Sequence, residues 1–333
     1  MPRRFNTIFI FLFIYQFCEA QPGETLRRFE FTHGQMGTIF NIICYGNNEI
    51  FVKEKVGEAF RLIDSLNAIF SDYIPDSELN RLCRQSGNGN WVRVSEPLYE
   101  VVRLSNFWSK MSHGAFDITV GSYTHLWRWA DRQGKWPDQN KLKNAAAVVG
   151  FRLIKTRTRR REILLKRINM QLDLGGIAKG YTVDKVYALL KANNLPGSLV
   201  DGGGDIYAGI QPPDEQGWKI AIQDPDTIRR NIYLSQQSVA TSGDFYRYFE
   251  YNHIKYSHII DPKTGLGITV PRTVTVIAPN ATQADAIATI ISVLGPQSGF
   301  RLIRSEKNIK ALVIQQEGSG FRKYESGNIN FLH

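Results

Sequence analysis

The chain has 333 residues, 43% of them hydrophobic and 12% aromatic, enough to fill a sizeable core and too much for a disordered or low-complexity protein. Its formal net charge of +10 invites a nucleic-acid reading. The densest basic run, residues 155–161, lies between two alternating segments where a solvated hairpin tip is expected, and no stacking aromatics interleave it. Nucleic acid is therefore set aside as a partner, while contact with a membrane surface or an acidic protein stays open.

The predicted elements run in chain order as follows. Arg3 and Arg4 precede an apolar run at residues 8–17, and Cys18-Glu19-Ala20 has the small-x-small pattern of a cleavage site before Gln21. Residues 1–20 read as an export signal, too short for a comfortable membrane span, and residues 21–333 as the mature domain, placed in the periplasm or cell envelope. Lipidation at Cys18 is the weaker reading, because Phe17 is bulky where a lipobox has a small residue. Past Ala20 only Cys44 and Cys83 are left, which permits one disulfide without demanding it; no cysteine–histidine cluster has zinc spacing.

Residues 29–45 alternate like strands. Val56, Ala59, Phe60, Ile63, Leu66 and Phe70 mark one amphipathic helix, and Leu98, Val101, Val102, Phe107, Trp108 and Met111 another, both expected to face the core. Residues 171–184 read as a buried strand, a glycine-rich turn (Gly175, Gly176) and a helix whose apolar face is Val183, Val186, Tyr187 and Leu190. Strand-like alternation returns at 219–223 and 273–277. With no internal repeat and no long linker, the reading is one continuous domain of mixed α and β structure.

Three constellations carry chemistry. A glycine turn entering a helix can cradle phosphate, since glycine lets backbone approach a ligand, the helix start offers N–H groups, and Lys179 adds charge. Asp285 and Thr289, spaced i and i+4, put two hard oxygen donors on one helix face, the kind Mg²⁺ takes alongside waters and substrate phosphates. His258 has Asp261 three residues on, a pair able to take a proton from a hydroxyl. The other histidines, His33, His113, His125, His253 and His333, are read as surface or packing residues.

Taken in order, Met36-Gly37-Thr38, Ser71-Asp72-Tyr73 with Asp76 to Asn80, the run from Gly114 through Phe116 and Asp117 to Gly121, the 171–184 segment, Val200 to Asp205, Thr241 to Tyr246, Tyr256 to Gly265 and Ala284 to Thr289 resemble the ApbE family. These are flavin transferases that move FMN from FAD onto a threonine or serine of another protein. The resemblance implies an α+β fold with two lobes around a flavin cleft. It implies FAD contacts at Met36, Tyr73, Ala115, Phe116, Asp117, Asp173, Lys179 and Ile259, and Mg²⁺ held by Asp285, Thr289 and the Gly176 carbonyl. His258 and Asp261 are implied to activate the acceptor hydroxyl, and the acceptor to be an extracytoplasmic redox subunit. Taken singly, Met36, Phe116 and Ile259 would be read as core. Asp201 departs from the family, where many relatives have Asn, and is left out of the site. Two alternatives stay open: an FAD pyrophosphatase yielding FMN and AMP, and an exported FAD-binding protein without catalysis.

Overall fold

The computed structural model describes residues 26–224, 230–243 and 248–331. The expected export signal with Cys18, and residues 244–246 of one family motif, lie outside the described residues.

The alternation at 29–45 resolves into β1 (Arg27–Gln35) and β2 (Thr38–Gly46), paired antiparallel across a turn in which Met36 and Gly37 take positive φ. The Asn48 side chain accepts from Phe51 N–H and opens α1 (Glu49–Phe70), whose Val52, Val56, Ala59, Ile63, Leu66 and Phe70 form one buried stripe. There follow α2 (Glu78–Arg84), β3 (Val92–Arg93), α3 (Glu96–Met111), α4 (Gly121–Gln133), α5 (Gln139–Ala146) and the hairpin β4 (Ile154–Arg157) with β5 (Glu162–Leu165). The basic run is the tip of this hairpin, as expected. Arg159 and Arg160 are exposed, Arg161 pairs with Glu96 at 3.2 Å, and Arg157 lies 3.9 Å over the Trp91 ring.

Next come α6 (Ala178–Ala192), β6 (Ser198–Gly202), β7 (Asp205–Ala208), the ribbon of β8 (Trp218–Ile222) and β9 (Arg230–Leu234), and β10 (Gln237–Gly243). The chain closes with the ribbon of β11 (Tyr248–Tyr251) and β12 (Ile254–Ser257), then β13 (Arg272–Ala278), α7 (Ala281–Ile303), β14 (Lys310–Glu317) and β15 (Gly320–Ser326). Helix α7 is long and apolar enough to cross a membrane, but Ala284, Ile287, Ala288 and Ile291 are buried in the core it shares with β13 and β14.

One antiparallel sheet in the order β1-β2-β6-β7-β10-β13-β14-β15 organises the molecule. Its pleat sends Phe40, Ile42 and Val200 against α1 and α6, and Leu199 to the opposite face against the β8–β9 ribbon. All seven residues of β13 are buried, so this strand is covered on both faces. A second, mainly helical half packs α2, α3 and the β3–β5–β4 sheet around Leu79, Leu98, Val102, Ile163 and Leu172, reaching Ala178 and Tyr181 of α6. The two halves meet at the start of α6.

Two local expectations are corrected. Residues 171–174 are buried at Leu172 and Leu174 but form no strand, because their N–H groups bond to three different neighbours instead of one ladder. Gln171 N–H donates to Ser122 Oγ at 3.3 Å, Leu172 N–H to Cys83 Sγ at 3.4 Å, and Asp173 N–H to Ile118 O at 2.7 Å. On α3, Leu98, Val101 and Val102 are buried, but Phe107 is 50% and Met111 38% exposed. There the buried stripe continues through Ser105 and Ser109, whose hydroxyls donate to carbonyls four residues back at 2.8 Å. Phe107 and Met111 line an open groove of about 620 Å³ between α3, α6 and α7, which none of the predicted site residues enters.

Candidate functional site

The glycine turn delivers the chain into α6 without a side-chain cap of its own. The cap comes from another helix: Gly180 N–H donates to Asp285 Oδ2 at 3.2 Å. The favour is returned at α7, where Asp184 of α6 accepts from the N–H groups of Ala281 (2.8 Å) and Thr282 (2.9 Å). Each helix start is thus closed by a carboxylate of the other, which fixes how α6 and α7 lie together. A Cβ on Gly180 would fall 2.7 Å from the Ala281 carbonyl carbon and 2.9 Å from Asp285 Cβ, so glycine is what permits this approach.

The same contact gathers the candidate metal donors. A Cβ on Gly176 would lie 2.8 Å from Thr289 Oγ1 and 3.3 Å from the Phe116 ring, so Gly176, Thr289 and Phe116 share one small cradle. Lys179, next to Gly180, forms an ion pair with Asp205 at the start of β7. Burial, then the charge of Asp285, pushes the Asp205 carboxyl up to about 7 against the pull of Lys179. Burial alone would lower the Lys179 pKa, but Asp205 and Asp285 hold it above the usual lysine range. Asp205 and Asp285 are thus two neighbouring buried carboxylates that share the Lys179 ammonium. Hard oxygen donors with excess negative charge suit a divalent cation. Among the described residues no three of His, Cys, Asp and Glu form a group that could hold a metal ion.

Asp205 went unread as a site residue. Its signal was present in the Gly202-Gly203-Gly204-Asp205 turn, but its partner Lys179 is 26 residues away. Asp201 shapes this turn, with Oδ1 accepting from Gly204 N–H at 2.8 Å. A Cβ on Gly203 would come within 2.9 Å of Thr38 Cβ, which sets the β6–β7 turn against the β1–β2 turn bearing Met36. Met36 Sδ in turn accepts from Thr182 Oγ1 of α6 at 3.6 Å.

A second group lies on the other side of the glycine turn. Asp173 Oδ1 accepts from Gly175 N–H at 2.8 Å, and its Oδ2 takes an Arg128 guanidinium bond at 3.0 Å. Arg128 also pairs with Asp72 and stacks on Tyr73, 4.2 Å from the ring centre. Burial raises the Asp72 carboxyl, but the His125 hydrogen bond and the Arg128 charge leave it below its usual range. His125, at the surface, sits with Nε2 3.4 Å from Asp72. Asn80, through its side-chain N–H groups to Asp72 O and Ile74 O, shapes the loop that presents Tyr73.

Ala115 and Phe116 are buried. Asp117 is buried too, and its carboxylate is occupied: Oδ1 accepts from Thr119 N–H (2.9 Å) and Thr119 Oγ1 (2.7 Å), and Oδ2 from Phe151 N–H (2.6 Å). The loop after β12 presents His258 exposed and Ile259 half-buried. It closes by Gly265 N–H to Asp261 O at 2.8 Å and packs on α4, where Trp127 Nε1 donates to Gly265 O at 2.8 Å. Asp261 Oδ1 accepts from Lys263 N–H at 2.9 Å. Cys44 and Cys83 are both buried free thiols, pushed up to about 11 by burial.

The profile of the ApbE family matches residues 36–313. The chain is 32% identical over 313 residues to the FAD:protein FMN transferase of Treponema pallidum, covering 88% of this chain and 86% of the relative. It is 32% identical over 302 residues to that of Vibrio cholerae, covering 88% and 89%. Among solved structures it is similar to the flavin transferase ApbE from Vibrio cholerae, with a TM-score of 0.80 at 28% identity over 90% of this chain and 97% of that one. The apo form of the Pseudomonas stutzeri flavinyl transferase ApbE matches with a TM-score of 0.82 at 29% identity, covering 91% and 95%.

Proposed function

The chain belongs to the ApbE family and is a flavin transferase, and we propose that it moves FMN from FAD onto a threonine or serine hydroxyl of an acceptor protein, with Mg²⁺ held by Asp285, Thr289 and the Gly176 carbonyl. The observation that carries the metal assignment is the convergence of Asp285, Thr289 and Gly176 where α6 and α7 cross, beside the buried Asp205–Lys179 ion pair. When bound, Mg²⁺ supplies neutralisation of pyrophosphate charge.

The protein's own groups account for the rest. Lys179, kept charged by Asp205, supports the side of the pyrophosphate that departs with AMP. Met36, Tyr73, Phe116 and Ile259 offer apolar and aromatic surface to the flavin ring, with Asp173 at its edge. Ala115 and Asp117 build the wall behind Phe116, Asp117 by fixing the turn through Thr119 and Phe151. His258 takes the proton of the incoming hydroxyl, aided by Asp261 on the same loop. The new bond joins the acceptor oxygen to the FMN phosphorus, and the broken bond releases AMP. The leader-like pattern of residues 1–20 supports an exported enzyme acting on an extracytoplasmic redox subunit.

The test incubates purified protein with FAD, Mg²⁺ and a candidate acceptor from the same organism, and weighs the acceptor. A gain equal to FMN is expected. Free FMN and AMP without labelled acceptor would make the protein a hydrolase instead, and bound but intact FAD a carrier.

A further inference from the structure

The structure points to a role for Arg128, a residue outside every motif that identified the family. Its guanidinium bridges Asp72 and Asp173, and its central carbon lies over the Tyr73 ring, 4.2 Å from the centre. The ring is 69% exposed, whereas the Asp72 and Asp173 side chains are only 9% and 14% exposed. A large aromatic is therefore held out toward solvent by a largely buried ionic clamp. The clamp is anchored at three places. Asp173 is tied to the glycine turn through Gly175 N–H, Asp72 to α2 through Asn80, and α4, which carries Arg128, also carries the Trp127 that fastens the His258 loop.

We propose that Arg128 is a positioning residue for flavin recognition: it locks Tyr73 and Asp173 into one preformed shelf on which the isoalloxazine ring of FAD stacks. The shelf pairs an aromatic face with a carboxylate at its edge, which matches a planar heteroaromatic ring bearing an N–H donor. Arginine is suited to the task and lysine is not, because only a planar fork can bond two carboxylates and stack on a ring together. Preforming the shelf removes an ordering cost from binding, so its loss falls on affinity more than on the saturated rate. The inference rests on the flavin reading above.

The experiment titrates FAD and FMN into wild type, Arg128→Gln, Arg128→Lys and Tyr73→Leu, following flavin fluorescence, and measures single-turnover transfer at saturating FAD. Flavin affinity is expected to fall on the order of 10-fold in Arg128→Gln and Arg128→Lys, with weaker quenching of bound flavin and a saturated rate within a few-fold of wild type. The Arg128→Gln/Tyr73→Leu double variant should bind no worse than the weaker single variant, since both act through one shelf. Unchanged affinity and quenching in a folded Arg128→Gln protein, or additive losses in the double variant, would overturn the proposal. If Arg128→Gln does not fold, Arg128→Lys, which keeps the charge between the two carboxylates, decides it by the same readouts. Wild-type protein that binds no flavin would instead refute the functional reading itself.

Discussion

Gly180→Ala tests whether the crossing of α6 and α7 holds the catalytic donors in place. The added methyl would sit 2.7 Å from the Ala281 carbonyl carbon and 2.9 Å from Asp285 Cβ. The Ala281 carbonyl oxygen lies nearer still, so restoring ordinary contacts of about 3.4 Å requires the helices to part by about 1 Å. Both obstacles are rigid: one is backbone and the other is the root of Asp285. Overpacking of this kind costs about 1–3 kcal/mol, and alanine's better helix propensity offsets about 1 of that. Stretching the Gly180 N–H bond to the Asp285 carboxylate, 3.2 Å in the native protein, adds about 1.5–3 kcal/mol for a hydrogen bond to a charged group. The net expectation is a loss of about 1.5–5 kcal/mol, read as a lower urea midpoint at unchanged slope. Because Asp285 shifts by most of an ångström, transfer should fall on the order of 10²-fold under conditions where the protein is still folded. Gly34→Ala is the control. It makes the same chemical change in β1, where a Cβ meets nothing within 4 Å, and should alter stability by less than about 0.5 kcal/mol. A Gly180→Ala protein as stable and as active as Gly34→Ala would refute the packing argument.

Asp285→Ala should abolish flavin transfer while leaving a folded protein, because it removes the only charged donor assigned to Mg²⁺; full activity in the acceptor assay would remove the metal assignment. His258→Ala should keep flavin affinity and lose about 10²–10⁴-fold in saturated rate, the range for a general base; weakened FAD binding at a wild-type saturated rate would assign His258 to binding instead. Cys44 and Cys83, buried with thiols pushed up to about 11, should resist a thiol-alkylating reagent at pH 8 until urea unfolds the chain. Rapid labelling of native protein would show that one of them is reachable, and loss of turnover without loss of thermal stability in Cys44→Ser/Cys83→Ser would give them a catalytic part.

What could be read from the chain was what is local. The stripe from Val56 to Phe70, with Phe60 only partly buried at its side, and the pleat of residues 29–45 follow from periodicity, since each residue's burial is decided by its own neighbours three, four or two positions away. The misreading of residues 171–174 has the same root. An apolar run bounded by glycine has the composition of a strand, but whether its N–H groups find a ladder or Ser122, Cys83 and Ile118 is settled by elements 49 to 89 residues distant. Phe107 and Met111 fit a helical stripe by spacing, and only the approach of α3 to its neighbours shows that Ser105 and Ser109 take the inner positions.

The site shows why motif residues and supporting residues differ in legibility. Asp285 and Thr289 announce themselves because one helix turn brings both donors together. Asp205, Asp184 and Arg128 act across the fold: Asp205 keeps Lys179 charged, Asp184 closes α7 from α6, and Arg128 clamps loops 45 and 56 residues away. Their chemistry is ordinary for their residue types, so no spacing marks them. Yet the donors depend on them, since Asp285 faces Gly180 only while Asp184 holds the start of α7. Removing Asp184 would leave two helix N–H groups without their carboxylate and release the crossing that places Asp285. The glycine turn and the proposed metal donors are therefore one construction, held together by the reciprocal caps of α6 and α7.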